Sequence, residues 1–481
     1  MVFSSLFFVF FFLAVCYGCY FLGRTAKVRN VILLVSSLIF YAWGGPVLVF
    51  LLCLMVFVCW IGAILISQTC NEKMKGALCA VTCAVCISIL VFFKYTGFFL
   101  STTYSLFGID AAIPSIALPI GISFYTFQLI SYVIDVRRGE VEAQEKYWLL
   151  LLYASLFHQC IAGPIVRYAD VNFDIENRVI KREEVSRGIT RFAVGLAKKA
   201  ILANGCGAIF DKLFNDASGQ LLGADGIAGL SSAAILLGCF CYMLQIYLDF
   251  SAYSDMAIGM GLMVGFHYKE NFNYPYIADS VTDFWRRWHI SLSGFFRDYV
   301  YIPLGGNRVS VPRHILNMLI VWALTGFWHG ANWSFVIWGL YFFVFLVLEK
   351  YLIKPKKNPS LARRIPRTLL TMVIVFFSFM IFKFTDMASL GAAIGGIFTS
   401  NGKGFGDLHT ATLFKNYVFF IILSALACTP IIPALSRLCE RTRVTAKAAT
   451  IVGAIIPSIL LIVSAFALAG DSYNPFLYFQ F

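Results

Sequence analysis

Two histidines are the residues of this chain best suited to chemistry. His329 stands in Phe327-Trp328-His329-Gly330-Ala331-Asn332-Trp333, where a lone imidazole and an amide interrupt a long apolar run. His289 closes a second string upstream, Asp283-Phe284-Trp285-Arg286-Arg287-Trp288-His289. Carrying an ionisable group to membrane depth costs roughly 2.5 kcal/mol or more by insertion scales, so each such residue is a functional hypothesis by default. A neutral imidazole near pH 7 takes a proton from a hydroxyl and returns one to a leaving group, which is general-base work in group transfer. Asn332 is placed to orient that ring or a substrate carbonyl. The plain alternative for His329 is a ring satisfied by one helix carbonyl; for His289 it is an interfacial polar residue at the edge of the cytosolic segment. The flanking Trp328, Asn332 and Trp333 favour function for His329.

The other candidates are weaker. His158 precedes Ala162-Gly163-Pro164, where a helix is interrupted, and suits structure and function equally. His267, His314 and His409 fall in expected loops and read as solvated. Gly121-Ile122-Ser123 lacks the second half of a nucleophile elbow, so a covalent serine enzyme is poorly supported. Neither a His-x-x-x-His spacing nor an acidic pair points to metal-assisted hydrolysis. The fourteen cysteines lie mostly in apolar runs; Cys79, Cys83 and Cys86 stack on one helix face and read as packing residues. Asp135, Asp249 and Asp255 would suit a proton pathway, which keeps a transporter of polymer or lipid-linked sugar in play. Transporters often carry paired repeats with matching broken helices, and no such pairing is visible.

The elements that must position these residues are apolar helices. With 60% hydrophobic, 17% aromatic and 13% charged residues, the chain reads as an all-α polytopic membrane protein. Apolar segments fall near 2–22, 30–43, 47–68, 77–100, 115–135, 147–163, 188–212, 228–263, 314–327, 333–349, 368–385, 413–433 and 448–470, some too short to cross alone. The first reads as a retained helix rather than a signal peptide, and 228–263 is long enough to be tilted, broken or re-entrant. The net charge of +13 sits in short loops without a nucleic-acid motif, so it reads as positive-inside topology rather than nucleic-acid binding. Arg24, Lys27, Arg29, Lys73, Lys75, Lys354, Lys356 and Lys357 mark cytosolic loops. Met1 and the tail from Asp471 to Phe481 are then outside, and 147–163 is a non-crossing hairpin or buried helix.

One membrane domain, 1–481, accounts for the chain. Within it 266–313 is expected at the cytosolic interface, where aromatic rings and Arg both sit well. Asp283 to Phe296 reads as one amphipathic helix on the spacing of Phe284, Trp288, Ser291 and Phe295. Pro303-Leu304-Gly305-Gly306-Asn307-Arg308 reads as a turn-rich loop.

Strings spread over essentially the whole chain carry a family resemblance. They are Met1-Val2-Phe3-Ser4-Ser5, Phe40-Tyr41-Ala42-Trp43, Leu118 to Gln128, Ile161-Ala162-Gly163-Pro164-Ile165-Val166-Arg167, Tyr247 to Asp255, Asp283 to Arg308, Thr325 to Trp338 and Asn474-Pro475-Phe476. The sequence resembles the membrane-bound O-acyltransferase (MBOAT) superfamily, and within it the alginate O-acetyltransferase type. His158 departs from the pattern, since relatives usually carry Pro after the aromatic residue. The resemblance implies a helical ring of about 11–13 membrane-embedded helices around a central tunnel. It implies transfer of an acetyl group from a cytosolic donor, acetyl-CoA, towards a hydroxyl of a cell-surface polysaccharide, in a bacterial cytoplasmic membrane. No bound cofactor or metal is implied.

In that pattern His329 matches the catalytic His and His289 the second signature position, orienting the donor thioester. Trp285, Arg286, Arg287, Arg297, Arg308 and Asn332 become candidates for holding donor or substrate, the arginines through the donor's phosphates or else through lipid headgroups. A separate extracytoplasmic protein that delivers the acetyl group to polysaccharide is implied as partner, besides membrane lipids. The polymer stays open, and so does an acyl or aminoacyl donor borne by a carrier protein.

Overall fold

The computed structural model describes residues 1–159, 163–353, 360–439, 443–470 and 476–477. Ala162 of the expected bend, Lys354, Lys356 and Lys357 of the basic loop, and Asn474-Pro475 lie outside the described residues. Apart from one isolated bridge between Asn215 and Leu221, the regular structure among the described residues is helical.

Along the chain the α-helices are α1 (Leu13–Leu22), α2 (Ala26–Ala42), α3 (Pro46–Gln68), α4 (Glu72–Phe107), α5 (Ile122–Arg138), α6 (Tyr147–Ser155) and α7 (Tyr168–Asn177). Then come α8 (Arg182–Ala197), which runs through a π-helical turn into α9 (Asn204–Phe214), the short α10 (Ala224–Ala228) and α11 (Ser232–Met263). The signature segment holds α12 (Val281–Arg287) and α13 (Ile290–Phe296). The chain continues with α14 (Val311–His329), α15 (Trp333–Leu348), α16 (Leu361–Lys383), α17 (Met387–Thr399), α18 (Leu408–Ala427), α19 (Ile431–Cys439) and α20 (Arg443–Ala469).

Seven stretches among the described residues are long and apolar enough to cross a membrane: α3, α4, Arg182–Phe214, α11, Trp333–Ile353, α16 and α18. Among its described residues the 147–163 segment contributes only α6, nine residues whose last seven are buried, about 14 Å long and too short to span. The 228–263 segment is one unbroken helix of 32 residues from Ser232.

α11 is the central post. Its neighbour α8 approaches closely because both helices put glycine at the contact: a Cβ on Gly195 would meet the Ala252 carbonyl at 2.7 Å, and one on Gly259 the Gly188 carbonyl at 2.7 Å. Small residues of this kind let helix backbones touch where lipid supplies no hydrophobic drive. Across the same contact Lys199 pairs with Asp249 at 2.7 Å, both nearly inaccessible. Leu477 near the C-terminus donates its N–H to the other Asp249 oxygen at 2.9 Å, and Phe476 stacks on Tyr253 at 4.4 Å. The end of the chain is therefore inserted against α11 at these two residues.

Candidate active site

α14 and α15 form a tight hairpin, and His329 is the last residue of its first arm, about 27 Å along the axis from Val311. The arms close because Gly326 and Gly339 face each other's helix, where a Cβ on either would strike backbone. Asn332 then restarts the chain as the N-cap of α15, accepting from Ser334 N–H at 2.9 Å. The sequence-level role for Asn332, orienting a ring or a substrate carbonyl, thus shares its amide oxygen with a capping duty.

The final carbonyls of α14 have no partner within the helix and are met from α4. Lys94 donates to the Trp328 carbonyl at 2.5 Å and the His329 carbonyl at 3.5 Å, and Tyr95 donates to the Phe327 carbonyl at 2.5 Å. A cation at the carbonyl end of a helix also suits its dipole. The His329 ring is buried against Trp338, Trp328 and Phe382, with centroids at 4.8, 4.9 and 5.4 Å.

His289 also packs against Trp328, with ring centroids 5.7 Å apart, and edge-on to Phe250 of α11 at 4.8 Å. Here the structure corrects a sequence expectation. Asp283 to Phe296 is not one helix but α12 and α13, broken at His289, whose φ of 44° is left-handed. Phe284, Trp288, His289 and Asn271 around the break are all buried. The reason is the loop before α12. Asn271 accepts the Ile290 N–H on its backbone oxygen at 2.9 Å, and its side-chain Oδ1 takes His289 Nδ1, Ser291 N–H and Ser291 Oγ at 3.2, 3.2 and 2.8 Å. These bonds replace the helical ones and draw the break into the bundle. A left-handed non-glycine residue is uncommon and concentrates at functional sites. On this non-spanning segment burial pushes the His289 imidazole down to about 3.

Of the cavities that border this region, two are lined by candidate arginines. A polar one of about 550 Å³ is lined by Arg167, Asp170, Lys269, Glu270, Arg286, Arg297 and Asp298, with Ile290, next to His289, at its wall. A more apolar one of about 250 Å³ shares Trp285, Arg286, Ser293 and Arg297 with it and continues along α14 past Trp322 to Thr325, one turn before His329. Trp285 lines both and ties them to His329 by ring packing. Its ring meets Trp322 at 4.7 Å and Trp338 at 5.6 Å, and Trp338 in turn meets His329. α12, which carries Trp285, is anchored by Glu349: that carboxylate accepts the Val281 and Thr282 N–H groups at 2.6 and 2.8 Å, where the helix dipole favours a negative charge.

Of the candidate arginines, Arg286 is exposed and lines both cavities, and Arg297 lines both while bonded to Asp298 at 2.6 Å. Arg287 is engaged with Asp283 at 2.9 Å and with the Asn273 carbonyl, and Arg308 is exposed on its loop away from the lining of either cavity. Arg167 and Lys269 complete the basic lining and were missed from the sequence, although Arg167 ends one of the family strings. Burial opposes ionisation of Asp298, but the hydrogen bonds from Arg297 and Arg167 outweigh it and hold the carboxyl below its ordinary range.

His158 is fully buried, with Nδ1 2.8 Å from the Tyr268 hydroxyl and its ring beside Phe157. His314, expected in a solvated loop, instead lies inside α14 between the hydroxyls of Tyr301 and Tyr351. Lys94 escaped notice too, although a lone cation in the 77–100 run meets the same criterion that singled out His329. The transport candidates are in paired arrangements: Asp255 with Arg191 and Lys198 at 3.0 and 2.7 Å, Asp135 with the Tyr299 hydroxyl at 2.7 Å, and Asp249 with Lys199.

Residues 48–391 match the model of the membrane-bound O-acyltransferase family. Over its full length the chain is 34% identical to the probable alginate O-acetylase AlgI of Pseudomonas putida, covering all of that protein. It is 32% identical to the peptidoglycan O-acetyltransferase of Helicobacter pylori, over 84% of this chain and 80% of that one. Similarity extends to the teichoic acid D-alanyltransferase of Bacillus subtilis, 29% identical over 55% of this chain and 68% of that protein.

Proposed function

Because this chain belongs to the membrane-bound O-acyltransferase family and is an O-acyltransferase, we propose that it moves acetyl from cytosolic acetyl-CoA towards a polysaccharide hydroxyl, with His329 as the catalytic residue. The coarser reading, membrane O-acetylation of a polysaccharide by a multi-pass bacterial membrane protein in contact with lipid, rests on the family and on relatives named for alginate and peptidoglycan. The observation that carries the finer one is the basic cavity beside Trp285, whose ring packs through Trp338 onto His329, with His329 and His289 both packed against Trp328.

The chemistry balances within this site. His329 takes the proton of the attacking hydroxyl as its oxygen bonds to the thioester carbonyl carbon; the C–S bond then breaks, and the imidazolium returns the proton to the departing thiolate. Arg286, Arg297, Arg167 and Lys269 hold the phosphates of the donor. Only the acetyl group then changes sides, so neither substrate has to cross a bilayer. The N-terminus lies outside, the membrane is the cytoplasmic one, and an extracytoplasmic protein completes delivery to the polymer.

Free thiol released from acetyl-CoA by the chain in nanodiscs tests this reading. Wild type is expected to turn over, His329→Ala to lose activity by about 100-fold or more and His289→Ala to lose most of it. A folded wild type that leaves acetyl-CoA intact, with candidate partner and acceptor supplied, sinks the acetyl-CoA donor. The similarity to a teichoic acid D-alanyltransferase would then favour a second reading, an acyl or aminoacyl donor borne by a carrier protein.

A further inference from the structure

The interaction that fixes the proton of His289 can be read from the donors around Asn271. The Ser291 backbone N–H can only donate, and it points at the same Asn271 atom as His289 Nδ1. Ser291 Oγ accepts from the Ile165 N–H at 3.0 Å and passes its own proton to that atom at 2.8 Å. The atom is therefore the amide oxygen, and Nδ1 must carry a hydrogen. A neutral imidazole so held has its lone pair on Nε2, and that nitrogen is buried without a partner among the described residues. The Asn271 Nδ2 is likewise buried and unpaired among them. Leaving such donors and acceptors unmet is costly, and a residue serving packing alone would not need to be an amide here.

Resting on the acetyl-transfer reading above, we propose that Asn271 is a positioning residue of the reaction, holding His289 as the Nδ1–H tautomer with its Nε2 lone pair kept ready to accept a proton. The assignment gives His289 a different duty from orienting a thioester. An acceptor-only nitrogen cannot donate to a carbonyl oxygen, whereas it can take a hydrogen bond or a proton from an acceptor hydroxyl. The left-handed backbone at His289 is part of the same device, since it turns Nδ1 and the Ser291 N–H towards one oxygen.

The test uses the full chain in nanodiscs with two readouts. The first is the ring ¹⁵N spectrum of histidine-labelled protein, with His289 identified by the signals lost in His289→Gln. Wild type is expected to show a protonated Nδ1 and a bare Nε2, and Asn271→Leu to move the proton to Nε2 or mix the forms. The second is acetyl-CoA cleavage: Asn271→Leu should lower kcat by about 100-fold with KM within about threefold, as loss of the correct tautomer does in other histidine enzymes. Asn271→Asp, which keeps the acceptor, should recover most of that loss. A wild-type His289 protonated on Nε2 overturns the proposal, as does an Asn271→Leu protein with wild-type kcat. So does an Asn271→Asp protein no better than Asn271→Leu, which would reveal a merely structural role. If the wild type does not cleave acetyl-CoA, the function reading fails, and the spectrum still decides the tautomer.

Discussion

Arg286, Arg297 and Arg308 look alike in the sequence, yet the fold separates them. A charge-assisted hydrogen bond to phosphate contributes about 1.5–3 kcal/mol, and each 1.4 kcal/mol is a tenfold change in affinity. Arg286 lines both cavities and has, among the described residues, no carboxylate partner of the kind that holds Arg297 and Arg287. Arg286→Gln is therefore expected to raise the KM for acetyl-CoA about tenfold with kcat nearly unchanged, an effect that shrinks in high salt. Arg308→Gln should leave both constants within a factor of about two. Equal effects from the two substitutions in steady-state thiol release would remove the basic cavity from donor binding.

At the scale of elements, the position of His329 depends on how α14 ends. A helix leaves its last carbonyls unpaired, and in this chain α4 supplies Lys94 and Tyr95 to meet them within one turn of the imidazole. Lys94→Met keeps the length of the side chain and removes the donor. We expect it to lower kcat by about tenfold while the protein still extracts and purifies as a folded species, because the turn loosens without a core cavity opening. Unchanged turnover would show that the α14–α15 hairpin, closed by Gly326 and Gly339, holds the histidine by itself. The break between α12 and α13 belongs to this scale as well. The apolar spacing of Phe284, Trp288, Ser291 and Phe295 suggested one helix, and nothing local in it reveals that Asn271 displaces the helical bonds at His289.

Across the whole molecule, the chain ties its far end to its middle. Asp249 on α11, Lys199 on the neighbouring helix and the backbone of Leu477 meet in one inaccessible cluster, with Phe476 stacked on Tyr253. Removing one partner of such a pair leaves an uncompensated buried charge, which costs about 3–5 kcal/mol. Asp249→Ala should thus lower thermal stability in detergent sharply, more than Asp255→Ala, whose partially accessible neighbours water can solvate. The reverse order in a melting experiment would place the structural charge cluster at Asp255 and would reopen a separate role for Asp249.

What the sequence by itself determined was set by local composition. Apolar runs of crossing length carry their meaning without reference to distant residues, so the polytopic helical class was legible, and a lone imidazole in such a run marks His329 as a candidate by the same local criterion. Only the tertiary structure decided which partners meet. Asn271 reaches His289 across 18 positions and Lys94 reaches Trp328 across 234, and Arg167 joins Arg297 through the shared Asp298 carboxylate and Arg286 through a shared cavity. Hydrogen bonds and cavities depend on distances of a few ångströms in space, and spacing along the chain does not encode those distances once helices have folded back on one another.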